Sequence, residues 1–314
     1  MNAAQGYALA WRVAGRLPGV LVRWGFAVAA DVAWLRHGSG VRRMEANYAR
    51  IRPDLDSRGV RRLSRTGMRS YMRYYAEAFR LGSYTREQVD ARVSTSGREH
   101  LDPVLEAGGS VVLALGHLGN WDLAGAWATR HLAPVTTVAE RLKPEELFQE
   151  FLAFRESIGL RILALGDGDV FRDLVRTART EKAVIPLLAD RDLTSKGVEV
   201  DLCGRRARVA AGPAALAITS GSILCATAIT YERLRGARRR AAGSPWGIHV
   251  RFHPPVEVPD VPRAERVAVM TQRWVDDLSQ DMVRAPQDWH MLQKVFVEDL
   301  DPERYAATLA AEGA

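Results

Sequence analysis

From residue 93 onward, short β-branched and apolar runs alternate with segments long enough for helices, and this alternation constrains the fold more than any other feature. Val111–Leu115, Val135–Val138, Arg161–Leu165, Ala183–Leu188, Ile223–Ile229 and Ile248–Phe252 are the strand candidates. Pro144–Ile158, Asp167–Thr180, Gly212–Ser220 and Ala264–Arg284 are the helix candidates between them, with Pro144 and Pro213 near a first turn, where proline is tolerated. Such an order predicts an α/β fold: a central, mostly parallel sheet covered by helices on both faces. Gly197–Val209 reads as a small hairpin with Cys203-Gly204-Arg205 at its tip, and Arg235–Pro245 as a flexible loop.

The first 92 residues read differently. Gly40–Ile51 and Val60–Leu81 carry apolar residues at helical spacing, punctuated by Pro18, Pro53 and Gly82, which predicts an N-terminal helical layer over residues 1–92. With no repeat, low-complexity tract or long linker, residues 1–314 are read as one domain, the layer preceding a catalytic core over residues 93–314.

Charge is unevenly placed along the chain. Residues 1–100 hold 18 arginines against 8 acidic residues, a net charge of +10, whereas the whole chain carries +7. Anionic lipid and nucleic acid both suit such an excess. The apolar stretch Val20–Leu35, containing Trp24, Phe26 and Trp34 but broken by Arg23 and Asp31, favours lipid. It is too interrupted for a span, which needs about 20 mostly apolar residues. An interfacial, membrane-facing helix fits better, with a helix simply buried against the domain over Leu17–Leu35 as the alternative; the two readings are compatible on different faces. The opening stretch Met1–Leu17, containing Gln5, Arg12 and Arg16, lacks a secretory pattern. Cys203 and Cys225 fit neither a disulfide framework nor a thiolate metal site and read as thiols of a reducing compartment. A peripheral protein on the cytoplasmic face of the plasma membrane is expected, with no nucleic-acid partner.

Chemistry concentrates after the first strong strand candidate, in Gly116-His117-Leu118-Gly119-Asn120-Trp121-Asp122. A strand passing through a glycine-containing loop into a helix is where open α/β sheets put their chemistry. On one helix His117 and Asp122 would diverge by roughly 140°, so the two meet only if the chain bends between them. A neutral imidazole can accept a proton, and a carboxylate beside it fixes its tautomer. The spacing also allows a plain capping role for Asn120 or Asp122 at the helix start.

That block matches the His-x-x-x-x-Asp signature of the glycerolipid acyltransferase superfamily, in the form found in bacterial lipid A acyltransferases. Val138–Glu145, Phe154–Gly159, Ala189–Leu193, Ala211–Pro213 and Pro286–Gln293 further resemble the actinobacterial phosphatidylinositol mannoside acyltransferases. The resemblance implies transfer of a fatty acyl group, typically palmitoyl, from acyl-CoA to the 6-hydroxyl of a mannose on phosphatidylinositol mono- or dimannoside. It also implies His117 as base with Asp122 orienting it, and Glu140, Arg155 and Asp190 in the cleft, where with Arg191 they would order the sugar hydroxyls and phosphate-bearing head group. Ion pairing is the alternative for each of these charged residues. Alcohol attack on a thioester requires a base and oxyanion donors but neither a covalent intermediate nor a metal. Acyl-CoA is then a co-substrate rather than a cofactor, the backbone amides of Gly119–Trp121 are candidate oxyanion donors, and the acyl chain is expected in an apolar groove beside the sheet.

Two rival enzymes remain open. Asp190-Arg191-Asp192 is an Asp-x-Asp that could hold the metal of a glycosyltransferase, and acylation of a different glycolipid would use the same base. A serine hydrolase is disfavoured because Gly-x-Ser-x-Gly is absent, and His290 is read as packed rather than catalytic.

Overall fold

The structure is a computed structural model that describes residue 15 and residues 17–141, 144–166, 168–194 and 196–312. Most of the opening stretch read for a secretory pattern, together with Leu142, Lys143 and Asp167, lies outside the described residues.

Four helices come first: α1 (Gly19–Arg36), α2 (Ser39–Ile51), α3 (Ser57–Leu81) and α4 (Arg86–Arg92). Their starts follow from local chemistry. The Asp56 side chain accepts from the Gly59 amide to cap α3, and Thr85 forms a capping box with Gln88 at α4. After β1 (Val93–Ser96) and α5 (Asp102–Glu106), strands and helices alternate as β2 (Val111–Leu115), α6 (Trp121–His131), β3 (Val135–Ala139), α7 (Glu145–Ser157), β4 (Leu160–Ala164), α8 (Val170–Thr180) and β5 (Val184–Leu188). The hairpin β6 (Gly197–Leu202) and β7 (Arg205–Ala210) follows, then α9 (Gly212–Ser220), β8 (Ile223–Arg233), α10 (Gly236–Ala242), β9 (Trp246–Pro255), α11 (Arg266–Arg284) and α12 (Pro302–Glu312).

Seven strands form one sheet in the order β1-β9-β8-β2-β5-β3-β4, parallel at every pairing except β8 with β9. All five residues of β2 are buried because the sheet is covered on both faces. Val112 and Ala114 join the cluster of α8, α9 and α11, whereas Val111, Leu113 and Leu115 join that of α4 and α6. The α/β architecture read from the sequence is the observed one.

Two details differ from the sequence reading. β1 was not among the strand candidates, since Ser94-Thr95-Ser96 is a polar stretch on the outer edge of the sheet. The expected loop Arg235–Pro245 contains α10, because Ala-Arg-Arg-Arg-Ala-Ala is a run of strong helix formers and the Arg92 guanidinium donates to the Ala242 carbonyl at the helix end.

α2 and α3 cross closely at Gly67, where an added Cβ would collide with the ring and hydroxyl of fully buried Tyr48. Tyr48 in turn donates to the Trp289 carbonyl at 3.0 Å. Gly67→Ala is expected to lower stability: roughly 1–3 kcal/mol of overpacking exceeds the ~1 kcal/mol helix-propensity gain. A thermal or urea midpoint at or above that of the wild type would refute the close-packed crossing.

Candidate active site

Parallel, in-register pairing of β2 with β5 sets Leu115 opposite Leu188, and each chain then continues past the carboxyl edge of the sheet. Two residues further on, His117 and Asp190 meet. The His117 Nδ1 lies 2.6 Å from Asp190 Oδ1, and the His117 amide donates to Asp190 Oδ2 at 2.9 Å. The Trp289 indole N–H completes the cradle, donating to Oδ2 at 2.8 Å. Asp190 is fully buried whereas the His117 side chain keeps 37% exposure, so the imidazole faces outward from a fixed base. With Nδ1 protonated and donating to Asp190, Nε2 carries the free lone pair.

The expected contact between His117 and Asp122 is therefore corrected. Asp122 is buried one residue into α6, where Oδ2 accepts from Tyr74 Oη at 2.7 Å and Oδ1 from Arg155 Nε at 2.9 Å. The loop turns at Gly119, whose φ of +60° and contact with the Ile229 carbonyl leave no room for a Cβ. This turn sends His117 toward β5 and Asp122 toward α3 and α7. Asn120 is the cap: its Oδ1 accepts from the Leu123 amide and its Nδ2 donates to buried Glu77.

Arg155 and Asp190 thus enter the site as partners of the motif's two ends, Arg155 as an ion pair and Asp190 as the histidine's carboxylate. Glu140 lies exposed just beyond β3 on the same sheet edge. Arg191 turns away, its Nε donating to the Lys294 carbonyl at 2.9 Å. Asp190 and Asp192 do not form a paired grip for a cation, since Asp192 Oδ1 accepts from the Thr194 amide in its own turn while both Asp190 oxygens are engaged. Among the described residues, no group of three or more His, Cys, Asp and Glu side chains could hold a metal ion.

Several contributors were not singled out from the sequence. Ser70, Tyr74 and Glu77 recur at helical spacing on α3, and that face packs on the loop that carries His117. Asp288 accepts from Ser70 Oγ and the Tyr231 amide, while its carbonyl takes the Gly119 amide, so that amide is committed and is no oxyanion donor. His290 is buried among Tyr71, Tyr74 and Trp121, and burial pulls its pKa down to about 3, leaving it neutral.

An apolar cavity lies between α6 and the sheet, walled by residues such as Leu113, Leu115, Ala124, Ala128 and Val184. Asp122, Arg155 and Trp121 supply polar groups to its wall, and the Trp121 ring stands edge-on to His117 at 5.6 Å between centroids.

An imidazole fixed on a buried carboxylate at the carboxyl edge of a parallel sheet can take a proton from a hydroxyl presented to Nε2, which is the competence of a general-base enzyme. The profile of the bacterial lipid A biosynthesis acyltransferases matches residues 5–298, and the chain belongs to this family. The phosphatidylinositol mannoside acyltransferase of Mycolicibacterium smegmatis is 37% identical over 304 residues, covering 96% of this chain and 93% of the relative. That of Mycobacterium tuberculosis is likewise 37% identical, covering 96% and 90%. A solved structure, the 1-acyl-sn-glycerophosphate acyltransferase PlsC from Thermotoga maritima, aligns over 85% of this chain and 96% of its own with 12% identity and a TM-score of 0.35.

Burial opposes charging of His117, but the Asp190 carboxylate outweighs it and holds the imidazole pKa above its ordinary value. Asp190, despite burial, is held below the usual carboxylate range by His117 and by its N–H donors. The His117 resonances are expected to titrate with a pKa above ~6.5 in the wild type and lower in Asp190→Asn. A titration midpoint unchanged by that substitution would break the pairing.

Proposed function

We propose that this chain moves a fatty acyl group, palmitoyl preferred, from acyl-CoA to the 6-hydroxyl of a mannose on phosphatidylinositol mono- or dimannoside. The observation that carries this reading is a base, His117, in ring contact with Trp121, which lines a cavity walled mainly by apolar side chains. The acceptor is inferred from the names of the mycobacterial relatives. In this reading His117 Nε2 removes the proton of the mannose hydroxyl while Asp190 fixes the tautomer and stabilises the imidazolium. Asp122 and Arg155, neutralising each other, hold the start of α6 beside the cavity. Glu140, exposed at the same edge, is the group we assign to the sugar hydroxyls, since a carboxylate accepts from several of them.

The test is thiol release from palmitoyl-CoA with and without phosphatidylinositol dimannoside, the product identified by mass. His117→Ala is expected to lose at least ~100-fold in rate with its melting temperature kept. Near-normal turnover in that variant would sink the mechanism, and release that ignores the mannoside would sink the acceptor.

The same reading puts the protein on the cytoplasmic face of the membrane. No helix among the described residues is long and apolar enough to cross a bilayer. α1 nonetheless turns Val20, Leu21, Trp24, Val28 and Leu35 outward, with Trp24 70% and Leu35 68% exposed, while Val22 and Ala30 are buried on its inner side. An outward apolar stripe on a basic layer suits an anionic leaflet. Replacing Trp24 and Leu35 together by Asp is expected to weaken co-sedimentation with anionic phospholipid vesicles by ~10-fold or more, from the apolar burial lost. Unchanged binding would remove α1 from the membrane face.

A further inference from the structure

The cavity beneath α6 is walled mainly by hydrocarbon, and among the described residues two polar side-chain atoms of its lining residues are buried without a hydrogen-bond partner. They are the indole Nε1 of Trp121 and the Oγ1 of Thr227. The other threonine of the wall, Thr137, is satisfied by the Pro186 carbonyl. An indole N–H can only donate, and a donor taken from water without an acceptor bears its full desolvation cost. Such an orphan in a folded protein calls for a particular explanation, and an absent ligand is one.

Position separates the two orphans. Thr227 lies within the sheet, paired with Leu115 of β2. Trp121 is the first residue of α6 and stands nearly perpendicular to the imidazole of His117, at 81°. Tyr74 holds its other side, with ring centroids 4.3 Å apart. Three donors nearby are engaged: the Gly119 amide with the Asp288 carbonyl, the Leu123 amide with Asn120, and Arg155 Nε with Asp122.

We infer that the Trp121 indole N–H is the oxyanion donor of this enzyme, hydrogen-bonding the thioester carbonyl oxygen as charge develops on it. The inference rests on the acyl-transfer reading above. The acceptor hydroxyl oxygen forms the new C–O bond and its proton passes to His117 Nε2. The carbonyl π pair moves onto oxygen, where the indole N–H meets it. When that pair returns, the C–S bond breaks and the departing thiolate takes the proton from the imidazolium. Trp121 keeps its own proton throughout. The amino end of α6 adds a favourable field for negative charge at the same place.

The test replaces Trp121 by Phe and, separately, by 3-benzothienylalanine, which keeps the bicyclic outline and puts sulfur where the N–H was. With palmitoyl-CoA and phosphatidylinositol dimannoside, both variants are expected to lose about 100-fold in kcat. The KM for palmitoyl-CoA, the acid limb of the pH–rate profile and the melting temperature should stay at their wild-type values. Wild-type turnover by the benzothienyl enzyme would show that the ring matters only as shape and would overturn the inference. A raised KM with unchanged kcat would overturn it as well, making Trp121 a packing surface for substrate. Should the wild-type protein itself release no thiol from palmitoyl-CoA, the acyl-transfer reading fails and takes the inference with it.

Discussion

The carboxylate of Asp190 governs the architecture around the site. A buried, isolated anion is worth several kcal/mol of penalty even after relaxation, so the chain must deliver donors to both of its oxygens. It does so with the His117 amide, the His117 ring and the Trp289 indole. These groups come from the end of β2, beside the end of β5 that carries Asp190, and from the segment after α11. β2 and β5 must therefore pair in register, and residues 288–290 must lie across the loop after β2, where Leu118 and Trp289 form an antiparallel bridge. Tyr48 then fixes the Trp289 backbone from α2. The imidazole inherits its orientation from a network that spans most of the chain.

The N-terminal layer serves two ends through different faces. α3 turns Ser70, Tyr74 and Glu77 toward the catalytic loop, where each bonds a different part of it or of the segment beneath. α1 packs on α3 through Val22 and Ala30 and through the Asp31 carboxylate, which is gripped by Arg65 and Arg69. Two arginines of this basic layer, Arg65 and Arg69, thus hold helices together.

Strand positions were legible because parallel strands buried on both faces are continuous apolar runs, and Val111–Leu115 is unmistakably one. The hairpin was legible with its tip read at Cys203-Gly204-Arg205; the turn itself is Cys203-Gly204, both at positive φ, and Arg205 already pairs with Leu202. His117 was evident from its motif. Its partner was misassigned because proximity along the chain favoured Asp122, whereas the contact is made across the sheet by residues lying equally far past the ends of adjacent strands. Arg155 and Asp190 were placed in the cleft by resemblance, but their partners could not be read. Helical periodicity reports which face of α3 is apolar; it says nothing of which hydroxyl or carboxylate will meet it from another layer.

The segment Asp288-Trp289-His290 has one more consequence. It contacts Tyr48, Ser70, His117 and Asp190 through hydrogen bonds that span 99 to 241 positions of sequence. Contacts of such sequence separation form late and slowly. As the chain leaves the ribosome, β2 and β5 emerge long before the tryptophan that stabilises Asp190. The reacting centre therefore stays unassembled until the segment around Trp289 has been made, although both strands that carry His117 and Asp190 are in place well before it.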